Sequence, residues 1–118
     1  MAESSIDGAT FKELQEIAGA DFVIELVDTF LAEAPQMLNA LHAALAAGDA
    51  DKFRRAAHSL KSNSHTFGAM ALGAMARELE HKGLEYARQS GAGVVDPLDA
   101  LAQEYARVAA ALAELRNG

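Results

Sequence analysis

Apolar residues recur along the chain at spacings of three and four, in stripes interrupted by glycine, aspartate and proline. This pattern predicts five helices. The first covers about residues 10–18 and carries Phe11, Leu14 and Ile17 on one face. Thr10 followed by Glu13 fits a capping box, and Gly19 stops the helix. The second, about 22–47, takes Asp21 as its N-cap and has the stripe Phe22, Leu26, Phe30, then Leu38, Leu41, Leu45. Pro35 falls in the gap and removes one backbone donor, which predicts either a kink or two abutting helices. Gly48 closes this segment as a C′ glycine and Asp49 caps the next.

The third helix, about 50–67, buries Phe53, Ala57, Leu60, Ser64 and Phe67, and Gly68 marks its end or a close helix contact. The fourth, about 69–89, turns Leu72, Met75, Leu79 and Tyr86 inward. SGAGVVD is the one flexible link. Asp96 as N-cap and Pro97 as first helical residue then open a fifth helix, about 97–116, with Leu98, Leu101, Tyr105, Val108, Leu112 and Leu115 on one stripe. Four longer amphipathic helices with short connections predict an all-α fold, an antiparallel up-down four-helix bundle with the short first helix capping one end. Core packing accounts for every stripe, so the aromatics need no cofactor role.

Composition sharpens this picture. A chain of 118 residues without repeats or a boundary reads as one domain. Hydrophobic residues make up 51%, with alanine dominant, which favours helices. A formal charge of −7 argues against nucleic acid and anionic lipid as partners. The absence of cysteine excludes disulfides, zinc–thiolate sites and thiol nucleophiles. No apolar run is long enough for a membrane span, and the N-terminus shows no signal peptide, so a cytoplasmic protein is expected. A monomer is expected too, because one bundle can satisfy all the stripes.

Candidate chemistry lies on a second face of the third helix. Asp51, Arg54, Arg55, His58, Lys61, Ser62 and His65 follow one another at helical spacings away from the Phe53 stripe. His58 has Ala56 and Ala57 before it and Ser62 one turn later, so a large partner can reach it. A neutral imidazole is a good nucleophile near neutral pH and can accept a phosphoryl group. Lys61, three residues on, would disfavour ring protonation before transfer and pair with phosphoryl oxygens afterwards. The chain has no glycine-rich phosphate loop and no obvious acidic cluster for a metal, so no nucleotide site, cofactor or metal of its own is expected. Donor, metal and most transition-state stabilisation would then come from a partner.

Arg54 and Arg55 are either docking residues or solvated charges, with Asp51 in reach of Arg55 at i, i+4. His65 shares the face of His58 and either touches a partner or is an ordinary exposed histidine. The two lie ~10 Å apart along the helix axis, too far to share a zinc ion. Glu78, Glu80 and Glu85 read as a solvated face.

The stretch Ala57-His58-Ser59-Leu60-Lys61-Ser62-Asn63-Ser64-His65-Thr66-Phe67-Gly68-Ala69 resembles the signature of histidine-phosphotransfer (HPt) domains. Ile6-Asp7, Phe30-Leu31 with Pro35, Gly48-Asp49 and Leu79-Glu80 also sit where family members often carry similar residues, so the resemblance spans nearly the whole chain. It implies that His58 is the phosphoacceptor and that Lys61 steadies the phosphoryl group. Ser62 would take the small docking position, most often glycine in the family, and Gly68 the place of the glycine that permits close helix packing. Arg54, Arg55 and His65 become candidates for receiver docking.

The resemblance further implies a four-helix bundle with an extra N-terminal helix. Phosphoryl groups would be exchanged with receiver-domain aspartates, in relays that begin at hybrid sensor kinases, with Mg²⁺ supplied by the receiver. Three other readings remain: a receiver-binding module without transfer, the phosphoacceptor segment of a chemotaxis-type kinase, and a metal-binding bundle.

Overall fold

The computed structural model describes residues 5–88 and 96–117. Among them are five helices and no strand: α1 (Gly8–Ala18), α2 (Ala20–Ala47), α3 (Ala50–Thr66), α4 (Met70–Ala87) and α5 (Pro97–Asn117). α2 packs on α3 and on α5, α4 packs on the same two helices, and α1 lies against α2 and α3.

The helix starts follow side-chain chemistry, with two departures from the expected caps. α1 begins two residues early because Asp7, not Thr10, is its N-cap. The Asp7 carboxylate accepts from both the backbone N–H and the hydroxyl of Thr10, so Thr10 is already used as a donor inside the first turn. α2 starts at Ala20 with Gly19 as cap, and Asp21 falls in its first turn, where a carboxylate still complements the helix dipole. α2 also runs unbroken through Pro35. The proline is on the exposed side of the helix, so the carbonyl it leaves unbonded one turn back can be solvated.

Gly48 ends α2 in the left-handed region (φ 70°), accepted without a side-chain penalty, and Asp49 caps α3. Asp96 caps the start of α5 by accepting from Leu98 N at 2.8 Å.

The core is built from Val23, Val27 and Phe30 of α2, Phe53, Ala57 and Leu60 of α3, Leu72 and Leu79 of α4, and Leu101, Val108 and Leu112 of α5, all buried. Phe30 packs at 5.3 Å against Phe67 with the rings tilted by 44°, and edge-on at 6.0 Å to Tyr105, joining α2 to the end of α3 and to α5. Three residues expected on inner stripes face outward instead: Ile17 (79% exposed), Phe22 (51%) and Leu115 (38%). In α2 the buried row is Val23–Val27–Phe30–Ala34, one residue out of step with the Phe22–Leu26 row, which has the same spacing.

α4 is not one straight helix. Gly83 has φ 75° and ψ −162°, a backbone region open essentially to glycine alone, and breaks the helix one turn after Glu80. The predicted unbroken helix to Gln89 is therefore interrupted, and its described part ends at Ala87. Residues 89–95, which hold nearly all of the expected flexible link, lie outside the described residues. No helix among the described residues is long and apolar enough to cross a membrane.

Candidate functional site

The site forms where α3 meets α4. Asp49 starts α3 by accepting from Lys52 N at 3.0 Å, and burial of Phe53, Ala57, Leu60 and Ser64 fixes the rotation of the helix about its axis. The buried Ser64 hydroxyl is satisfied by donating to the carbonyl of Leu60. With that face locked, His58 is carried to the rim, its side chain 56% exposed.

Across the helix interface, Glu80 of α4 reaches the same point. Its Oε2 lies 2.8 Å from His58 Nδ1 and its Oε1 lies 2.8 Å from Lys61 Nζ. The glutamate is the most covered of the three, with 14% of its side chain exposed against 21% for Lys61. Its Oε1 is buried, and the Lys61 ammonium beside it supplies its counter-charge. Lys61 first, and then His58, hold the Glu80 carboxyl below the usual carboxylate range, against the opposing effect of its burial. Glu80 is therefore an anion at neutral pH and can only accept. His58 must donate from Nδ1–H, which leaves the lone pair on Nε2 of an exposed ring.

The glutamate corrects two sequence-based expectations. Glu80 is not part of a solvated face but joins α3 to α4. The charge in contact with the imidazole is its carboxylate, with Lys61 on the far oxygen. The partner of the second ring nitrogen could not be assigned from periodicity, because it comes from another helix 22 residues away. The one signal for it was the Leu79-Glu80 pair within the family resemblance.

The remaining candidates surround this trio unequally. Ser62 is exposed one turn beyond His58. Arg54 and Arg55 are exposed and both pair with Asp51, at 2.8 and 2.7 Å. His65 lies at the far end of α3 with its ring seated on Gly73 of α4, where a β-carbon would stand 2.4 Å from it. Gly68 makes the corner after α3 at φ 83°, and its carbonyl accepts from Asp7 N at 2.8 Å. The close approach at this glycine is thus to the segment leading into α1. The structure brings His58 and Lys61 together, keeps Arg54, Arg55 and Ser62 on the adjoining surface, and sets His65 and Gly68 apart.

A model of the Hpt domain matches residues 25–117. The chain belongs to the Hpt domain family. It is similar to the crystal structure of histidine-containing phosphotransfer protein B (HptB) from Pseudomonas aeruginosa PAO1, with 31% sequence identity and a TM-score of 0.84 over 98% of this chain and 97% of that one. No curated protein matches the chain. The family match begins inside α2, so α1 of this Hpt domain lies outside it, whereas the structural match includes nearly everything.

Membership assigns the molecule a role in histidine phosphotransfer. Beside the His58 turn this Hpt domain also has an open groove of about 720 Å³ between α2 and α3. Met37, Ala40, Ala44 and Ala56 line its apolar floor, and Arg55 and Ser59, which flank His58, stand on its rim.

Proposed function

We propose that this Hpt domain is a phosphorelay intermediate. Nε2 of His58 takes a phosphoryl group from the aspartyl phosphate of a hybrid sensor kinase's receiver domain and hands it to the receiver aspartate of a response regulator. One observation carries this reading: an exposed imidazole whose Nδ1 is committed to a carboxylate, so that Nε2 is the nitrogen free to attack.

The other residues take roles consistent with that step. The carboxylate–imidazole pair fixes the tautomer and the ring plane, as second-sphere carboxylates do for other working histidines. Lys61, tethered to Glu80 beside the ring, can turn its ammonium towards phosphoryl oxygens as they arrive. Ser62 leaves room for the receiver backbone, and Arg54 and Arg55 border the surface on which it would dock. The acyl phosphate and Mg²⁺ come from the receiver, which supplies most of the charge stabilisation. The helix neighbours described above support an antiparallel up-down four-helix bundle formed by α2 to α5, with α1 as the addition.

The test is incubation with a panel of radiolabelled phospho-receivers, wild type against His58→Gln. We expect base-stable, acid-labile label on the wild type alone. Receiver binding without any label would make the protein a docking module, and label that persists on the variant would place the acceptor elsewhere.

A further inference from the structure

The bond changes at His58 give Glu80 a second task. In the accepting step the Nε2 lone pair forms the N–P bond as the P–O bond to the donor aspartate breaks, and that electron pair leaves with the aspartate carboxylate. The Nδ1 proton stays in place. The product ring therefore carries both an N–H and an N–P bond, and a formal positive charge. The atom facing that N–H at 2.8 Å is Glu80 Oε2.

We infer that Glu80 is a positioning residue that holds the phosphorylated ring of His58 in its cationic, Nδ1-protonated form and thereby sets how readily the phosphoryl group is given up. The inference rests on the phosphotransfer reading of His58 and extends it to the release step. When the N–P bond breaks from a cationic ring, its electron pair returns to Nε2 and the leaving group is neutral imidazole. From a ring that has lost the Nδ1 proton, the same cleavage must expel an imidazolide anion, which is far less favourable. An anion beside Nδ1–H favours the charged ring, and so favours release.

Lys61 opposes this effect, because its ammonium is shared between Glu80 and the phosphoryl group. His58 and Lys61, both from α3, are the neighbours that act on Glu80. An arriving phosphoryl group brings about two further negative charges at neutral pH. One ammonium then faces two anions. If it turns wholly to the phosphoryl group, the buried Oε1 of Glu80 is left without a counter-charge, an unfavourable state for a covered carboxylate. The phosphorylated site is thus built to be temporary.

The experiment needs no receiver. Wild type, Glu80→Gln and His58→Gln are treated with potassium phosphoramidate, a small phosphoryl donor, and the decay of phosphohistidine is followed at mildly alkaline pH. Glutamine keeps an acceptor oxygen for Nδ1–H and removes only the charge, so a purely orienting role predicts no change. We expect the phosphorylated Glu80→Gln protein to outlive the wild type by at least about threefold, since a tenfold change corresponds to one unit of proton affinity.

Nitrogen NMR of the phosphorylated ring should show a protonated Nδ1 in the wild type and a bare one in the variant, and the amide spectrum of the same sample reports that the variant is folded. Equal or shorter lifetimes, or the same Nδ1 state in both proteins, would overturn the inference. The phosphotransfer reading fails separately, when the wild type takes no label on His58 or when its label cannot be passed to any receiver.

Discussion

Arg116, near the end of α5, grips the Asp28 carboxylate of α2 with two nitrogens, Nε on Oδ1 and Nη2 on Oδ2 at 2.9 Å. The contact spans 88 residues of sequence and ties the last helix to the second. The hydrogen bond from Arg116, reinforced by its charge, holds the Asp28 carboxyl below its ordinary range against desolvation. A depressed carboxyl contributes stability above its unfolded value and loses it as pH falls through the lowered folded value. Both side chains are substantially exposed, so the contribution is small. Arg116→Ala should therefore lower the urea midpoint slightly at neutral pH. The gap to wild type should close as the solution is acidified, and a gap that widens in acid would contradict this assignment.

Gly68→Ala should be costly. A β-carbon there would stand 2.9 Å from the backbone oxygen of Asp7 and 3.0 Å from Thr10 Cβ, in a backbone conformation with positive φ. Backbone cannot step aside without losing the bond from Asp7 N to the Gly68 carbonyl. We expect a loss of roughly 1–3 kcal/mol in chemical denaturation, the range for strain at a special φ. Unchanged stability would show that the corner after α3 is free to relax.

Gly73→Ala should behave oppositely, although its apparent clash is closer. The nearest atoms to the added β-carbon would be those of the His65 ring, a side chain at the molecular surface that can swing away. Alanine in place of a helical glycine then gains up to about 1 kcal/mol from propensity. We expect stability to hold or rise while the His65 ring resonances shift. A marked loss would mean that His65 is clamped in its notch by more than packing.

Lys61→Ala should leave the helical content intact, slow transfer and shorten the phosphohistidine lifetime, because the phosphoryl group loses its cation and Glu80 is left to act on the ring alone. It should also cost roughly 1 kcal/mol at neutral pH, since the covered Glu80 oxygen loses its partner. Glu80 is a lowered carboxyl, so this cost should disappear as pH falls through its titration. Unaltered transfer kinetics would remove Lys61 from the chemistry.

These outcomes bear on how much of the molecule could be read from its sequence. The α3 face was legible because Phe53, Ala57, Leu60, Ser64 and Phe67 form an unambiguous helical row flanked by charge. At the start of α2 two rows of equal spacing compete, Phe22–Leu26 and Val23–Val27. Only the neighbouring helices decide that the valines face inward. Ile17 and Leu115 fail for a related reason, since near helix ends an apolar residue can run past the last partner it could pack against. Asp7 and Thr10 both qualify as caps by type, and the choice depends on which one the chain presents to the first free N–H groups. His58 and Lys61 were legible as local neighbours three apart. Glu80 was not, because its role is a relation between helices, and a glutamate beside a core leucine has the same pattern whether it meets water or an imidazole.

The break at Gly83 separates two kinds of evolutionary freedom. Up to that glycine, α4 must keep register with α3, because any slip would withdraw the Glu80 carboxylate from His58. Beyond it, the described helix continues in a new direction only as far as Ala87, which is anchored separately in the core. Insertions and deletions between His58 and Gly83 should accordingly be selected against among homologues that keep the pair.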